Sequence, residues 1–183
     1  GFTNHRAVLQ DSTTQVPFVI TGGAVPERLR GTVFSGLVDA LDLAPTVMGI
    51  AASVPPAKAR GRNLWGALED GRTLEDHAVL QQGVLGQTSL RTPTHRFTFS
   101  GLEHTAPNYL QVLATAPLDS AHFSLFEHKA DPGETHNIIA DDPALAEKLR
   151  AVMLQRCRTL STSTAHKGPS EETLQMLQSR GYW

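Results

Sequence analysis

Carboxylates and imidazoles are the side chains that hold metal ions and move protons, and one short stretch concentrates them: Glu127, His128, Asp131, Glu134 and His136. Their spacing does not describe a dedicated site. A calcium loop alternates oxygen ligands along the chain, and Glu127, Asp131 and Glu134 do not follow that pattern. His77, His95, His104, His122, His128 and His136 contain no HxxxH or HxH pair. Turn and capping chemistry is the reading these residue types favour. The single cysteine, Cys157, excludes an intrachain disulfide and any CxxC zinc site. The cations Arg28 and Arg30, and Arg60 and Arg62, fall in Gly- and Pro-containing stretches that read as solvated loops. Loops at the C-terminal edge of an α/β sheet can line a ligand crevice, which makes Arg28 the candidate substrate contact among them.

A chain of 183 residues holds one ordinary domain or two small subdomains. A net charge of -2 supplies no basic field for nucleic acid. No apolar run approaches the roughly 20 residues of a membrane span. The opening GFTNHRAVLQ lacks the charged start and apolar core of a signal peptide. It also lacks an initial Met, as expected of a fragment, a processed product or the ordered part of a longer chain. Compartment stays open.

Val16-Pro17-Phe18-Val19-Ile20, closed by Gly22-Gly23, reads as a strand buried on both faces of a parallel sheet. Pro17 would sit at its start, where a missing N–H is tolerated. A helix is expected from Asp42, with the Asp42 carboxylate as cap and Pro45 in the first turn. Leu43, Val47, Ile50 and Ala51 would form its apolar stripe. After Asp70-Gly71 the runs His77 to Gln81, His95 to Phe99, Tyr109 to Leu113 and His122 to Phe126 read as short antiparallel strands. Asp131-Pro132-Gly133 is a turn, with Pro fixing φ, Gly permitting positive φ and Asp bonding the backbone ahead. Asp142-Pro143 opens a helix with the stripe Leu145, Leu149, Val152 and Met153. Residues 159–169 read as a polar linker. A last helix from about Ser170 carries Leu174 and Leu177 and stops at Gly181, with Tyr182 and Trp183 packing back.

Several of these segments carry a resemblance. Leu125, Phe126, Glu127, Asp131, Pro132, Glu134 and Asn137 resemble the "LYDLxxDPxExxNL" segment near the C-terminus of sulfatases. Asp42 to Thr46 resembles that family's "VSxxDLxPTLLxLAG", Gly61 to Leu64 its "DGxSL", Val16-Pro17 its Val-Pro pair, and Leu177 to Tyr182 its "LxxLGY" close. Order and spacing agree over nearly the whole chain. The resemblance is to the C-terminal portion only. It implies an α/β fold, the C-terminal part of an alkaline-phosphatase-like α/β sandwich plus a small subdomain of antiparallel strands with a packed helix. Residues 1–70 would end the α/β core, and residues 71–183 would form the C-terminal antiparallel-sheet subdomain with terminal helices.

The resemblance implies sulfate ester hydrolysis by the complete protein, with a formylglycine nucleophile and a divalent metal, calcium, bound by residues not in this chain. Cys157 is followed by Arg158-Thr159-Leu160-Ser161 and does not match the family's C/S-x-P/A-x-R nucleophile. The chain alone is therefore expected to be inactive. Ten residues before Val16 stands Arg6, where the family has a Lys beside the substrate sulfate. Arg6 would stabilise charge building on the sulfate oxygens, and His5 would be a proton donor to the leaving group. Gln10-Asp11-Ser12 stands where the family often has Tyr-Glu-Gly. The implied partners are a small-molecule or glycan sulfate ester and the missing N-terminal part of the same protein, with no nucleic acid and no membrane. A sheet cut in the middle leaves an open edge that invites association, so a homo-oligomer is also open. A phosphodiester or phosphonate-ester hydrolase of the same superfamily and a catalytically inactive binding or assembly module remain as alternatives.

Overall fold

The computed structural model describes residues 9–54, 59–71, 77–83, 86–163 and 176. The anticipated last helix apart from Met176, the Tyr182-Trp183 ending, and His5 and Arg6 lie outside the described residues.

The centre is a four-stranded antiparallel sheet in the order β1-β2-β3-β4. Its strands are β1 (Val79–Gln82), β2 (Gln87–Arg91), β3 (His95–Ser100) and β4 (Phe123–Glu127). Registry sets Leu80 opposite Leu90, Leu90 opposite Phe97, and Thr88 and Phe123 on either side of Phe99. Alternation along a strand sends successive side chains to opposite faces, so these residues share one face, and Leu125 joins them opposite Phe97. On it pack α4 (Tyr109–Thr115) and α5 (Pro143–Ser163) through Tyr109, Leu113, Ala146, Leu149, Met153 and Cys157. Phe97 stacks on Phe123 at 5.2 Å, and Phe99 meets Tyr109 edge-on at 5.8 Å. This is an α+β layer: an antiparallel sheet with helices on one face, as expected for the second part of the chain.

In the second part of the chain three sequence expectations about its elements differ from the structure. Tyr109 to Leu113 is helical. Tyr109 and Leu113 are the buried pair, a spacing of four that suits one helix face as well as a short strand, and the flanking apolar residues hid the period. Gln87–Arg91 is a central strand that the sequence reading passed over, because its buried residues include Thr88 and Ser89. The supposed linker begins as helix: α5 runs on to Ser163, and the Thr159 hydroxyl donates to the Gln155 carbonyl within it. Extending a helix already formed adds one hydrogen bond per residue, so polar composition alone does not end it. The start of α5 is as read, with the Asp142 carboxylate accepting from Leu145 N–H at 2.9 Å.

The turn after β4 also matches its reading, with one change. The Asp131 carboxylate accepts from Thr135 N–H, His136 N–H and the Thr135 hydroxyl. The positive φ falls on Glu134, at 53°, and not on Gly133. Asn137 then clamps the outer margin of β4, accepting from Leu125 N–H and Ile139 N–H and donating to the Phe123 carbonyl.

Residues 16–20 form no strand. A strand is stable only beside a partner, and among the described residues none lies alongside. The sheet has no parallel pair there, and Val16 and Val19 are 75% and 77% exposed. The helix expected at Asp42 is present as α2 (Leu43–Ile50), but Asp42 makes no capping bond to it. Asp39 caps the preceding 3-10 turn, Ala40–Asp42, and the Asp42 side chain returns a bond to Asp39 N–H. Asp42 is 1% exposed and spends its remaining acceptors on Arg62, at 2.7 Å from both the Arg62 backbone N–H and Nη2. This clasp joins α2 to α3 (Leu64–Glu69), helped by Leu64 N–H donating to the Thr46 hydroxyl. At Gly61 any Cβ would overlap the Leu41 carbonyl, so only glycine allows the approach. The face of α2 anticipated as buried, Leu43 and Val47, is instead about half exposed, beside Phe18, Val19 and Ile20.

Burial pushes the Asp42 carboxyl pKa up, but hydrogen bonds from Arg62 and Asp39 and the Arg62 charge outweigh it and hold it below the ordinary value. Its stabilisation is therefore full above the unfolded pKa near 3.9 and is lost as pH falls through the lower folded value. Asp42→Ala should cost about 3 kcal/mol at pH 7, the low end for a broken buried pair, because Arg62 keeps some solvent access. Urea denaturation at pH 7 and pH 3 checks this: the difference between wild type and variant should shrink at the lower pH.

Candidate functional site

The second face of the sheet is polar, and its organisation begins with a conflict. Arg91 on β2 and Arg96 on β3 stand directly opposite each other. Like charges in that position repel. Asp11, in the single-turn helix α1 (Asp11–Thr14), resolves it by accepting from both guanidiniums. Arg91 Nε and Nη2 each lie 3.2 Å from an Asp11 oxygen.

Arg96 is 1% exposed. Its Nε donates to Glu134 Oε1 at 2.6 Å, and its Nη1 donates to Gln81 Oε1 at 2.7 Å and Ser89 Oγ at 3.2 Å. Its Nη2 takes Asp11. The positive φ at Glu134 lets the chain leave the Asp131 turn while the carboxylate reaches inward. Thr98 donates to Ser89 Oγ at 3.0 Å and closes the floor.

His128 completes the cluster. Its Nδ1 lies 3.4 Å from Asp11 Oδ2 and 3.6 Å from Glu134 Oε1. Burial, followed by the charge of Arg91, lowers its pKa to about 4. The imidazole is neutral at pH 7, so neither approach is an ion pair there. Both ring nitrogens and Glu134 Oε2 are buried with no hydrogen-bond partner. For Asp11, burial raises the pKa, but the Arg91 hydrogen bond and the charges of Arg96 and Arg91 outweigh it and the net direction is down. The formal charge of the cluster is thus zero, two carboxylates against two guanidiniums. A cavity of about 390 Å³ opens beside it, lined by Gln10, Asp11, Ser12, Gly133, Glu134 and Thr135. The arrangement can hold a small cation or a hydrogen-bond donor.

Of the residues singled out from sequence, the structure brings together His128 and Glu134. Asp131 is engaged by the turn. His136 faces Asp141 on the surface, and His122 faces Asp119. Arg28 is exposed and donates from Nη2 to the Glu69 carbonyl at 2.8 Å, tying its loop to the end of α3. Cys157 is buried in α5 against the sheet, where burial raises its thiol pKa. Sequence reasoning missed Asp11, Arg91, Arg96 and Gln81. One signal was available: in His95 to Ser100 the alternation puts Phe97 and Phe99 on one face, so Arg96 must point into the other.

Solved structures similar to this chain include ones described as sulfatases. The chain is similar to BT4656, solved in complex with its substrate D-glucosamine-2-N,6-O-disulfate, at 15% identity and a TM-score of 0.47, over 70% of this chain and 25% of that one. It is also similar to yidJ of Bacteroides fragilis, a sulfatase by assignment, at 18% identity and a TM-score of 0.41, over 69% and 25% of the two chains. A third, from Bacteroides thetaiotaomicron VPI-5482 and of the same assignment, gives 18% identity and a TM-score of 0.43 over 70% and 27%. The chain therefore spans about a quarter of the length of these structures. No family model matches it, and no curated protein does.

Glu134→Ala should cost about 3–5 kcal/mol by leaving Arg96 buried without one of its two counter-charges, whereas the double variant Glu134→Leu, Arg96→Met should cost less than either single one. The imidazole of His128 takes up a proton in the unfolded chain near pH 6.5 but in the folded chain only near pH 4. Stability should therefore fall as pH drops through that window. Urea denaturation of His128→Gln should show a smaller fall.

Proposed function

We propose that this chain is the C-terminal portion of a sulfatase-like hydrolase, and that the complete protein cleaves sulfate esters. The observation that carries this reading is where the resembling residues stand. Asp42 and Arg62 form the buried clasp between α2 and α3. Asp131 holds the turn, Glu134 neutralises Arg96, and Asn137 clamps β4. Residues that carry the sequence resemblance are joints of this fold rather than incidental loop positions. A second observation supports it. The large exposed apolar residues of the described chain fall, apart from Met176, between Val16 and Val54. An apolar face of that kind suits a covering partner, and in this reading the partner is the rest of the α/β core, which residues 1–70 complete and residues 71–183 flank.

The chemistry then belongs to polypeptide outside this chain. A formylglycine nucleophile and a calcium ion would be supplied there. Calcium takes 6–8 oxygen ligands, and the Asp11–His128–Glu134 cluster, with two guanidiniums and an imidazole among its groups, does not fit that requirement. From this chain, Arg6 would stabilise charge on the sulfate oxygens, His5 would donate a proton to the departing oxygen, and Arg28 would contact substrate. The exposed face of residues 16–54 equally suits an inactive assembly module, and a phosphodiester or phosphonate-ester hydrolase of the same superfamily would use the same core.

The test is a longer protein, made from the reading frame that includes the sequence 5′ of Gly1 and assayed on an aryl sulfate, a phosphodiester and a phosphonate ester. Sulfate turnover is expected from the longer protein and not from the present chain. Arg6→Ala in that protein should lower kcat by about 10²–10³-fold. Turnover by the present chain alone would overturn the reading. A longer protein without formylglycine by mass spectrometry, and inert toward all three esters, would establish the assembly module instead.

A further inference from the structure

We propose that Asp11, His128 and Glu134 form a binding site for a divalent transition ion of the zinc type. The inference does not rest on the sulfatase reading, and the site is separate from the calcium invoked there.

Geometry is the first argument. Ligand atoms at about 2.0–2.2 Å from a tetrahedral ion lie about 3.4 Å from one another. His128 Nδ1 stands 3.4 Å from Asp11 Oδ2 and 3.6 Å from Glu134 Oε1. One ligand atom from each of the three residues lies within 4.8 Å of the others. They come from three separate parts of the fold, α1, the residue after β4, and the turn. The packing of the domain therefore assembles the site before any ion arrives.

Unpaired acceptors are the second. Buried side-chain polar atoms nearly always have partners. Glu134, with its side chain 2% exposed, leaves Oε2 unpaired, and both His128 nitrogens are unpaired. A neutral imidazole offers one lone pair as a ligand. An ion shared among these groups satisfies the oxygen and one ring nitrogen together. One imidazole with two carboxylates suits zinc or a neighbouring transition ion better than calcium or magnesium. Asp11 and Glu134 also line the cavity beside Ser12 and Gly133, from which a water would supply the fourth ligand.

The arginines decide how tight the site is. Arg96 bonds Oδ1 of Asp11 and Oε1 of Glu134. It orients both carboxylates, the usual work of outer-shell partners; Glu134 Oε2 keeps no hydrogen-bond partner, while Oε1, which stands 3.6 Å from His128 Nδ1, is shared with Arg96. Arg91 is the competitor. It holds Asp11 Oδ2 through Nη2 at 3.2 Å, the same length as its Nε contact with Asp11 Oδ1. The ion must displace it from that oxygen.

The experiment uses the full chain freed of metal, titrated with Zn²⁺ in a calorimeter and with Co²⁺ in a visible spectrometer. The expected result is one ion per chain, tetrahedral Co²⁺ bands, and an X-ray absorption first shell of nitrogen and oxygen at about 2.0–2.2 Å. His128→Ala should weaken Zn²⁺ binding at least tenfold, on the order of the loss seen when a metal site loses a supporting group. Arg91→Gln should strengthen it by removing the competing cation. If His128→Ala does not fold, judged by circular dichroism, the isosteric His128→Gln is the variant read. Absence of stoichiometric uptake, uptake unchanged in the folded His128 variant, uptake traced only to exposed histidines such as His122, or an affinity unmoved by Arg91→Gln would each overturn the proposal.

Discussion

A buried guanidinium dictates the outer half of this domain. Arg96 sits on a central strand with almost no access to solvent, and it cannot shed its charge. Every N–H must therefore meet an acceptor, because an unpaired buried charge costs several kcal/mol. The acceptors come from Gln81 on β1, Ser89 on β2, Glu134 in the turn after β4, and Asp11 from 85 residues earlier. One side chain thus fixes the positions of four segments. The N-terminal turn is drawn onto the sheet by charge, with little apolar burial of its own: α1 contains no buried residue.

The two faces of the sheet are held by different physics. Toward α4 and α5 the phenylalanines of β3 and β4 exclude water and give non-directional stabilisation. On the other face geometry matters more, since hydrogen bonds to charged groups are directional and roughly twice as strong as neutral ones. The same device appears in the first part of the chain, where the Asp42 carboxylate gathers Asp39 and Arg62. Acidic side chains placed inside the protein serve here as hubs that join segments far apart in sequence.

How legible this was depended on whether a signal was local. Asp131-Pro132-Gly133 and Asp142-Pro143 specify their turn and helix start within a few residues, and both were readable. The apolar alternation from Phe123 and from Phe97 gave two strands. Tyr109 to Leu113 was misread because five residues do not separate a period of 2.0 from one of 3.6. Gln87–Arg91 was missed because its buried Thr88 and Ser89 leave no apolar mark; the Ser89 hydroxyl is met across the strands by Thr98. Asp42 was read as a cap because its true partner, Arg62, lies 20 residues away. The cluster around Arg96 was opaque for the same reason: the Asp11 contact spans 85 residues, and the only hint was a cation on the polar side of an alternating strand.

The clamp made by Asn137 gives the sheet a direction. Along Phe123–Glu127 the amide takes up outward-facing backbone groups that a further chain would need. The opposite margin, Val79–Gln82, has a described neighbour only on the β2 side. Lateral growth is therefore blocked along β4: a chain adding there by backbone pairing would first have to displace the Asn137 amide.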